Sequence, residues 1–305
     1  MQTATAQATA MWNEAPAGSG EAPANACVRG SRVALLMPAY NPGGLIYRAL
    51  ESVARSTYPC DIYIVDDAST PPVAQMLGNW PQTKIIRLER NSGPAHARNV
   101  GLMAILSKPY DFVALLDSDD LCHPDRIATQ VAFLDAHPEI GAVGSWARII
   151  EENSGRFLYT ARPPANPEGV KKALFQNAIV INSSLMIRTD VLRTVGLYSE
   201  RYPVAEDYEL LRRMAEKFAV TNIPQALVDY RMSAGSISMR RRRRQLLDRL
   251  RIQLAYFDAA EPHAWIGLGK TLLMFLVPTS LIPKLKALRD RHRAEPVRAE
   301  QGPKP

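Results

Sequence analysis

Cysteine is scarce in this chain, and the few present have no partners at useful spacing. Cys27, Cys60 and Cys122 are odd in number and far apart, with no Cys-x-x-Cys pair and no histidine at ligand spacing. That pattern excludes a disulfide framework and a cysteine-based zinc centre, and it predicts reduced thiols in a cytosolic protein. Lysine and arginine are missing from residues 1–26, which also lack an apolar core. The opening segment therefore reads as a flexible leader over residues 1–30, rich in Ala, Thr, Pro and Gly, and not as a secretory signal. No Gly-x-Gly-x-x-Gly run occurs, so the usual dinucleotide fingerprint is absent. Gly267-Leu268-Gly269-Lys270-Thr271 resembles the end of a phosphate loop, but position 264 is alanine where such a loop needs its first glycine. Long apolar runs are lacking too. Trp265–Ile282 has 18 residues with Lys270 and Pro278 inside it, which is marginal for crossing a bilayer. There is no internal repeat.

What is present is an ordinary globular composition, 47% apolar over 305 residues, enough for one large domain and an appendage. The net charge of +7 is unevenly placed. Residues 236–305 hold 15 Lys or Arg against 6 Asp or Glu, a balance of +9, which leaves −2 for residues 1–235. A near-neutral body with a basic tail fits a surface-binding extension better than a nucleic-acid groove, and aromatic–basic interleaving is missing as well.

Short apolar runs alternate with helical spacing. Val33–Met37 is ended by Pro38, Asp61–Val65 runs into Asp66-Asp67, Lys84–Leu88 follows, and Asp111–Leu116 ends on Asp117. Helices are predicted over 45–54, from Val73, over 95–107 and over 207–218. Ile140–Ile150 and Ser184–Ile187 read as further strands, the latter open to an antiparallel placement. This is the pattern of a Rossmann-like, mostly parallel α/β sheet flanked by helices, with ligands beyond the carboxyl ends of its strands. The predicted organisation is a leader over 1–30, a catalytic domain over 31–238, and a basic helical tail over 239–305. Two amphipathic helices lying on a membrane interface suit that tail.

The sharpest constellation is Asp117-Ser118-Asp119-Asp120. Carboxylates this close repel one another unless a cation intervenes, and a hard ion with oxygen ligands, Mg²⁺ or Mn²⁺, would relieve them and bridge to a diphosphate. An Asp-rich turn capping a helix near Pro124 is the plain alternative. Asp66-Asp67 is a second acidic strand end, suited to a base N–H or a ribose hydroxyl, or again to turn chemistry. Asn91-Ser92-Gly93-Pro94 opens a helix whose free backbone N–H groups, near Arg98, tolerate an anion.

In order, Pro38-Ala39-Tyr40-Asn41, Val65-Asp66-Asp67-Ala68-Ser69, Asn91-Ser92-Gly93-Pro94-Ala95 with Ala97-Arg98-Asn99, and Asp117-Ser118-Asp119-Asp120 resemble family 2 glycosyltransferases, as do Glu206-Asp207-Tyr208 and Tyr230-Arg231. The likeness spans residues 32–238. It implies a glycosyltransferase A-type fold and inversion at the anomeric carbon. By the same likeness Pro38, Tyr40, Asn41 and Asp67 line the nucleoside pocket and Arg98 sits close to the nucleotide; Asp66, Asn91, Gly93, Asp117 and Ser118 are further candidates for binding the donor. Asp117 and Asp119 hold the metal with Asp120 as helper; Asp207 is the base and Glu206 places it.

The chemistry asks for the same parts. An acceptor hydroxyl needs a carboxylate to take its proton, and a departing nucleoside diphosphate needs its charge stabilised. Two departures stand out: the histidine that many relatives carry after the Tyr-Arg pair is replaced by Met232-Ser233-Ala234-Gly235-Ser236, and no Gln-x-x-Arg-Trp motif is present. For the first, the arginines at 240–244 offer one substitute charge. The second favours one sugar per event. The expectation is a metal-dependent transferase using a UDP- or dTDP-linked sugar and a saccharide or lipid-linked saccharide acceptor. It would work in cell-surface polysaccharide or glycolipid synthesis, in the cytoplasm and on the anionic inner membrane face through residues 239–292. A sugar-phosphate nucleotidyltransferase and a degenerate membrane-peripheral binding protein are the competing readings; nucleic acid is not an expected partner.

Overall fold

The computed structural model describes residues 31–277 apart from 79, 81–82, 153, 178–179 and 233–240. The leader over 1–30 and the chain end from 278 lie outside the described residues.

The strand reading holds where the apolar runs are continuous. β1 (Val33–Ala39), β2 (Asp61–Asp66), β3 (Thr83–Arg87) and β4 (Phe112–Leu115) pair in parallel in the order β3-β2-β1-β4. The chain runs outward from β1 to β3 and then crosses back to the other side of β1 at β4. That reversal opens a crevice at the strand ends between them, where open α/β sheets bind ligands. β8 (Met186–Arg188) lies antiparallel to β4, as its sequence left open, and after it come β6 (Ile140–Glu151), β9 (Ala219–Met232) and the short β5 (Leu121–Cys122). β7 (Phe157–Ala161) pairs with β6. β5, β7 and β9 were not expected from the sequence.

Alternate residues of the central strands face opposite layers, as pleating requires. Val33, Leu35 and Met37 pack with α1 (Leu45–Ala54) and α4 (Arg126–Ala136). Ala34 and Leu36 pack on the other face, with α3 (Pro94–Leu106), α5 (Pro167–Leu174), α6 (Thr189–Val195) and α7 (Glu206–Lys217). α2 (Val73–Leu77) completes the edge near β2. The result is a sheet covered on both sides, with the site at its open end.

The basic region forms α8 (Arg242–Ala255) and α9 (Pro262–Leu276). The tail expected from residue 239 is helical over its described part and docked on the main body. Ile252 is fully buried in the same cluster as α3 and α7, and Gln253 donates to the carbonyl of Gln176 at 2.9 Å. Tyr256 Oη donates to Glu209 on α7 at 2.9 Å. Leu246 and Ile252, buried with Gln253, seat α8 there. Among the described residues no helix is long and apolar enough to cross a membrane.

Candidate active site

The loops after β1 and β2 are stitched together before any ligand arrives. Asn41, at φ +47°, receives on its side-chain oxygen the N–H of Thr70 at 2.8 Å, while its own N–H donates to Ser69 Oγ at 3.0 Å. Asp66 was expected to face the nucleoside. Instead its carboxylate is buried, accepting from the N–H groups of Ser69 at 2.8 Å and Val73 at 3.0 Å and from Arg87 at 2.5 Å. Burial works against that charge, but these donors outweigh it and hold the pKa below the ordinary carboxylate value. Asp66 therefore braces the loop from within. Pro38 is half-buried at the end of β1, and Tyr40 and Asn41 are exposed at the crevice.

Asp67 links this loop to the next. Its two oxygens accept the N–H groups of Ser92 at 2.7 Å and Gly93 at 2.9 Å. Gly93 sits at φ +88°, a conformation that glycine takes without steric cost, and it places Pro94 at the first turn of α3. Asn91 is exposed just ahead of it.

One turn into α3 stands Arg98. Its guanidinium donates to Glu206 Oε1 at 2.8 Å and to Asp117 Oδ1 at 2.7 Å, and it lies over the ring of Tyr198, 5.5 Å from the centroid. Burial opposes its charge, yet Asp117, Tyr198 and Glu206 more than compensate and its pKa is raised. Tyr198 is held in turn by Asn99, which exchanges hydrogen bonds with its backbone N–H and carbonyl, each at 2.9 Å. The Tyr198 hydroxyl donates to Asn182 at 3.0 Å.

The acidic loop divides by direction. Asp117, Ser118 and Asp119 are half-exposed, and the N–H of Asp117 donates to Ser183 Oγ at 3.2 Å. Burial and the neighbouring Asp117 push Asp119 up to about 6, with Arg231 pulling the other way. Asp120, expected as a metal helper, is turned inward at 1% exposure, where Oδ1 accepts the N–H of Arg231 at 2.8 Å. Burial, then Asp119 and Asp117, raise its pKa well above the usual range. Through that oxygen it anchors the loop to β9, while Oδ2 is buried without a hydrogen-bond partner. Behind the loop, the fully buried Arg126 donates to the carbonyl of Leu115 at 2.8 Å and to Gln130 at 3.0 Å.

Glu206 and Asp207 begin α7. Burial and Asp207 push Glu206 up to about 7 against the pull of Arg98. Asp207 is half-exposed and raised chiefly by burial, with Asp117 adding to the rise; one of its oxygens accepts the N–H of Tyr208 at 2.7 Å. Tyr230 is raised by burial and by Asp120, Asp117, Asp119 and Asp207 together, so both acidic groups act on one hydroxyl.

Arg98, Asp117, Asp119, Glu206 and Asp207 thus converge. The sequence did not single out Tyr198, Ser183 or Arg126. Of these, Arg126 left a trace, since Arg126, Ile127 and Gln130 share helical spacing just after the acidic run. Two of the arginines expected as a substitute charge are engaged within α8 and α9. Arg242 donates to the Met274 carbonyl at 3.1 Å and Arg244 to Asp248 at 3.1 Å, while Arg240 lies outside the described residues.

Among the described residues no three His, Cys, Asp or Glu side chains form a closed metal centre. Two half-exposed, mutually repelling carboxylates do fit Mg²⁺ or Mn²⁺, ions that keep water and take substrate phosphate oxygens as their other ligands.

The sequence and the fold match known proteins. The model of glycosyl transferase family 2 matches residues 34–196, ending before Glu206. A relative from Erwinia amylovora, the amylovoran biosynthesis glycosyltransferase AmsE, is 30% identical over 201 residues, covering 64% of this chain and 73% of that one. The chain belongs to glycosyl transferase family 2. It spans only about a third of the length of some curated relatives it matches, 34% in one case. Two solved structures share the fold. S. aureus TarS 1–349 in complex with UDP-GlcNAc has a TM-score of 0.57 at 20% identity, covering 79% of this chain and 71% of that one. The mannosyltransferase PcManGT from Pyrobaculum calidifontis, in complex with GDP-Man and Mn²⁺, has a TM-score of 0.58 at 17% identity, covering 92% and 86%.

Proposed function

We propose that the protein transfers one sugar from a nucleoside-diphosphate sugar to an acceptor hydroxyl, with inversion at the anomeric carbon. The acceptor is a saccharide or lipid-linked saccharide of cell-surface glycan synthesis, and the donor a UDP- or dTDP-linked sugar. The observation that carries this reading is the Arg98 bridge. One guanidinium joins Asp117, on the acidic loop, to Glu206, beside the half-exposed Asp207.

The nucleoside enters between the β1 and β2 loops, over Pro38 and Tyr40, at an edge shaped by the buried Asp67 through its hold on the N–H groups of Ser92 and Gly93. Asp117 and Asp119 would hold Mg²⁺ or Mn²⁺, which would supply positive charge against the leaving diphosphate. Asp207 takes the proton of the acceptor hydroxyl as its oxygen attacks. Glu206, fixed by Arg98, keeps Asp207 at the mouth of the crevice. Base and acidic loop come from different elements, which lets attack and departure occur on opposite faces of the sugar. The fold neighbours crystallised with UDP-GlcNAc and with GDP-Man and Mn²⁺ support a sugar nucleotide at this place.

Calorimetric titration of UDP, dTDP and GDP into the protein, with and without Mn²⁺, tests the reading. Metal-enhanced binding of one nucleotide, lost in Asp119→Ala, is the expected result. No binding of any of them with metal present would overturn it.

A further inference from the structure

A helix on the surface of a globular protein ordinarily turns large apolar side chains inward and polar ones outward. Helix α9 does the reverse. Its buried positions are Ala264, Gly267 and Thr271, all small. Gly267 lies so close to the main body that a Cβ there would stand 2.2 Å from the Phe175 carbonyl oxygen. The outward positions are Trp265 at 57% exposure, Ile266 at 45%, Leu272 at 50%, Leu273 at 60% and Leu276 at 79%. With Gly269 they follow the spacing of a single helix face. The helix is thus gripped through small residues, and its large ones add nothing to the core.

The rim of that face is basic. Arg242 hydrogen-bonds the Met274 carbonyl, which sets the arginine-rich start of α8 beside the leucine-rich end of α9. Arg241, Arg243, Arg244 and Arg251 are exposed on α8, with Leu247 and Leu254 between them. The one acid within the two helices, Asp248, is buried between Arg244 and Arg251. Apolar bulk bordered by an excess of positive charge is the chemistry of a helix lying in a lipid headgroup layer, and it is a poor match for a second copy of the same basic surface. At 15 residues α9 is about 22 Å long, short of the hydrocarbon thickness, a length suited to lying on a bilayer and not to crossing it.

We infer that the outward face of α9, with the exposed arginines of α8, is a docking surface for an anionic lipid bilayer. The mounting is direct: α8 ends at Tyr256, whose hydroxyl and carbonyl bond Glu209 and Arg212 of α7, the helix that begins with Glu206 and Asp207. A bilayer held there has a fixed orientation relative to that helix.

The test uses the full chain with vesicles of phosphatidylcholine, with and without phosphatidylglycerol, at low salt. Binding to the anionic vesicles, weakened by salt, with a blue shift of tryptophan emission that Trp265→Phe abolishes, is the expected result. Leu272→Glu with Leu273→Glu, and separately Arg243→Ala with Arg244→Ala, should each weaken vesicle binding by about tenfold or more. Nucleotide binding should stay unchanged in both variants, so this inference fails independently of the transferase reading. Absence of binding to either vesicle overturns it. So does a dimer that the Leu272→Glu, Leu273→Glu variant dissolves, because a second copy would then be the occupant.

Discussion

Arg98 donates to Glu206 Oε1 at 2.8 Å although 108 residues separate them, and both side chains are less than a tenth exposed. This pair ties the helix that follows the third strand to the helix that begins with the acidic dipeptide. It fixes, across the crevice, where Asp207 stands.

Replacing either partner exposes the cost of the burial. Arg98→Met leaves Glu206 buried without its guanidinium and releases Asp117. The expected loss of stability is about 3–5 kcal/mol, the range for a broken buried ion pair. Denaturant titration of the variant measures it, and a loss below about 1 kcal/mol would show that the pair is solvated.

The two acids at the start of α7 should separate kinetically. Asp207→Asn is expected to lower kcat by about 10²–10⁴-fold, with nucleotide affinity retained, because it removes only the proton acceptor. Glu206→Gln keeps a hydrogen bond to Arg98 and should cost less. Transfer assays on both, beside calorimetric nucleotide titration, check the order; a larger loss in Glu206→Gln would exchange the roles.

Stability should depend on pH through Glu206. Its folded pKa, about 7, exceeds the ordinary 4.5, chiefly through burial. Between those values the folded chain holds a proton that the unfolded chain has lost. The contribution is therefore fully present below 4.5 and is lost as pH rises toward 7. Unfolding curves of wild type and Glu206→Gln, compared from pH 5 to 8, should show wild type losing stability relative to the variant as pH rises. Parallel curves would contradict the assigned shift.

Gly267→Val tests the seat of α9. A branched side chain has no room against the Phe175 carbonyl, so the helix must shift or detach. The expected cost is about 1–3 kcal/mol, the usual price of overpacking. Hydrogen exchange should speed up in α9 and leave β1 and β4 protected; unchanged exchange in α9 would mean that Gly267 is not its contact.

The central sheet was legible because β1, β2 and β4 are continuous apolar runs that end on polar residues, as doubly covered parallel strands do. The place of the site followed from those ends. Strand β9 was hidden because Ala219–Met232 contains Pro224, Gln225 and Asp229, and its pairing with β6 shifts register more than once. Adjacent acids also defeated the sequence. Asp119 and Asp120 differ in which way the backbone turns them, whereas Asp66 and Asp67 are both buried and both hold backbone N–H groups, and only three-dimensional pairing shows which carboxylates are engaged inside. For α9 the composition announced an amphipathic helix without saying that its bulky face would be the outer one.

The Asn41–Thr70 and Ser69–Asn41 hydrogen bonds make two chain segments 28 residues apart into a single mechanical part. A substitution in either loop is felt in the other, so with the nucleoside placed between them as proposed, selectivity for one nucleobase over another would be inherited by the pair and not adjustable in one loop alone.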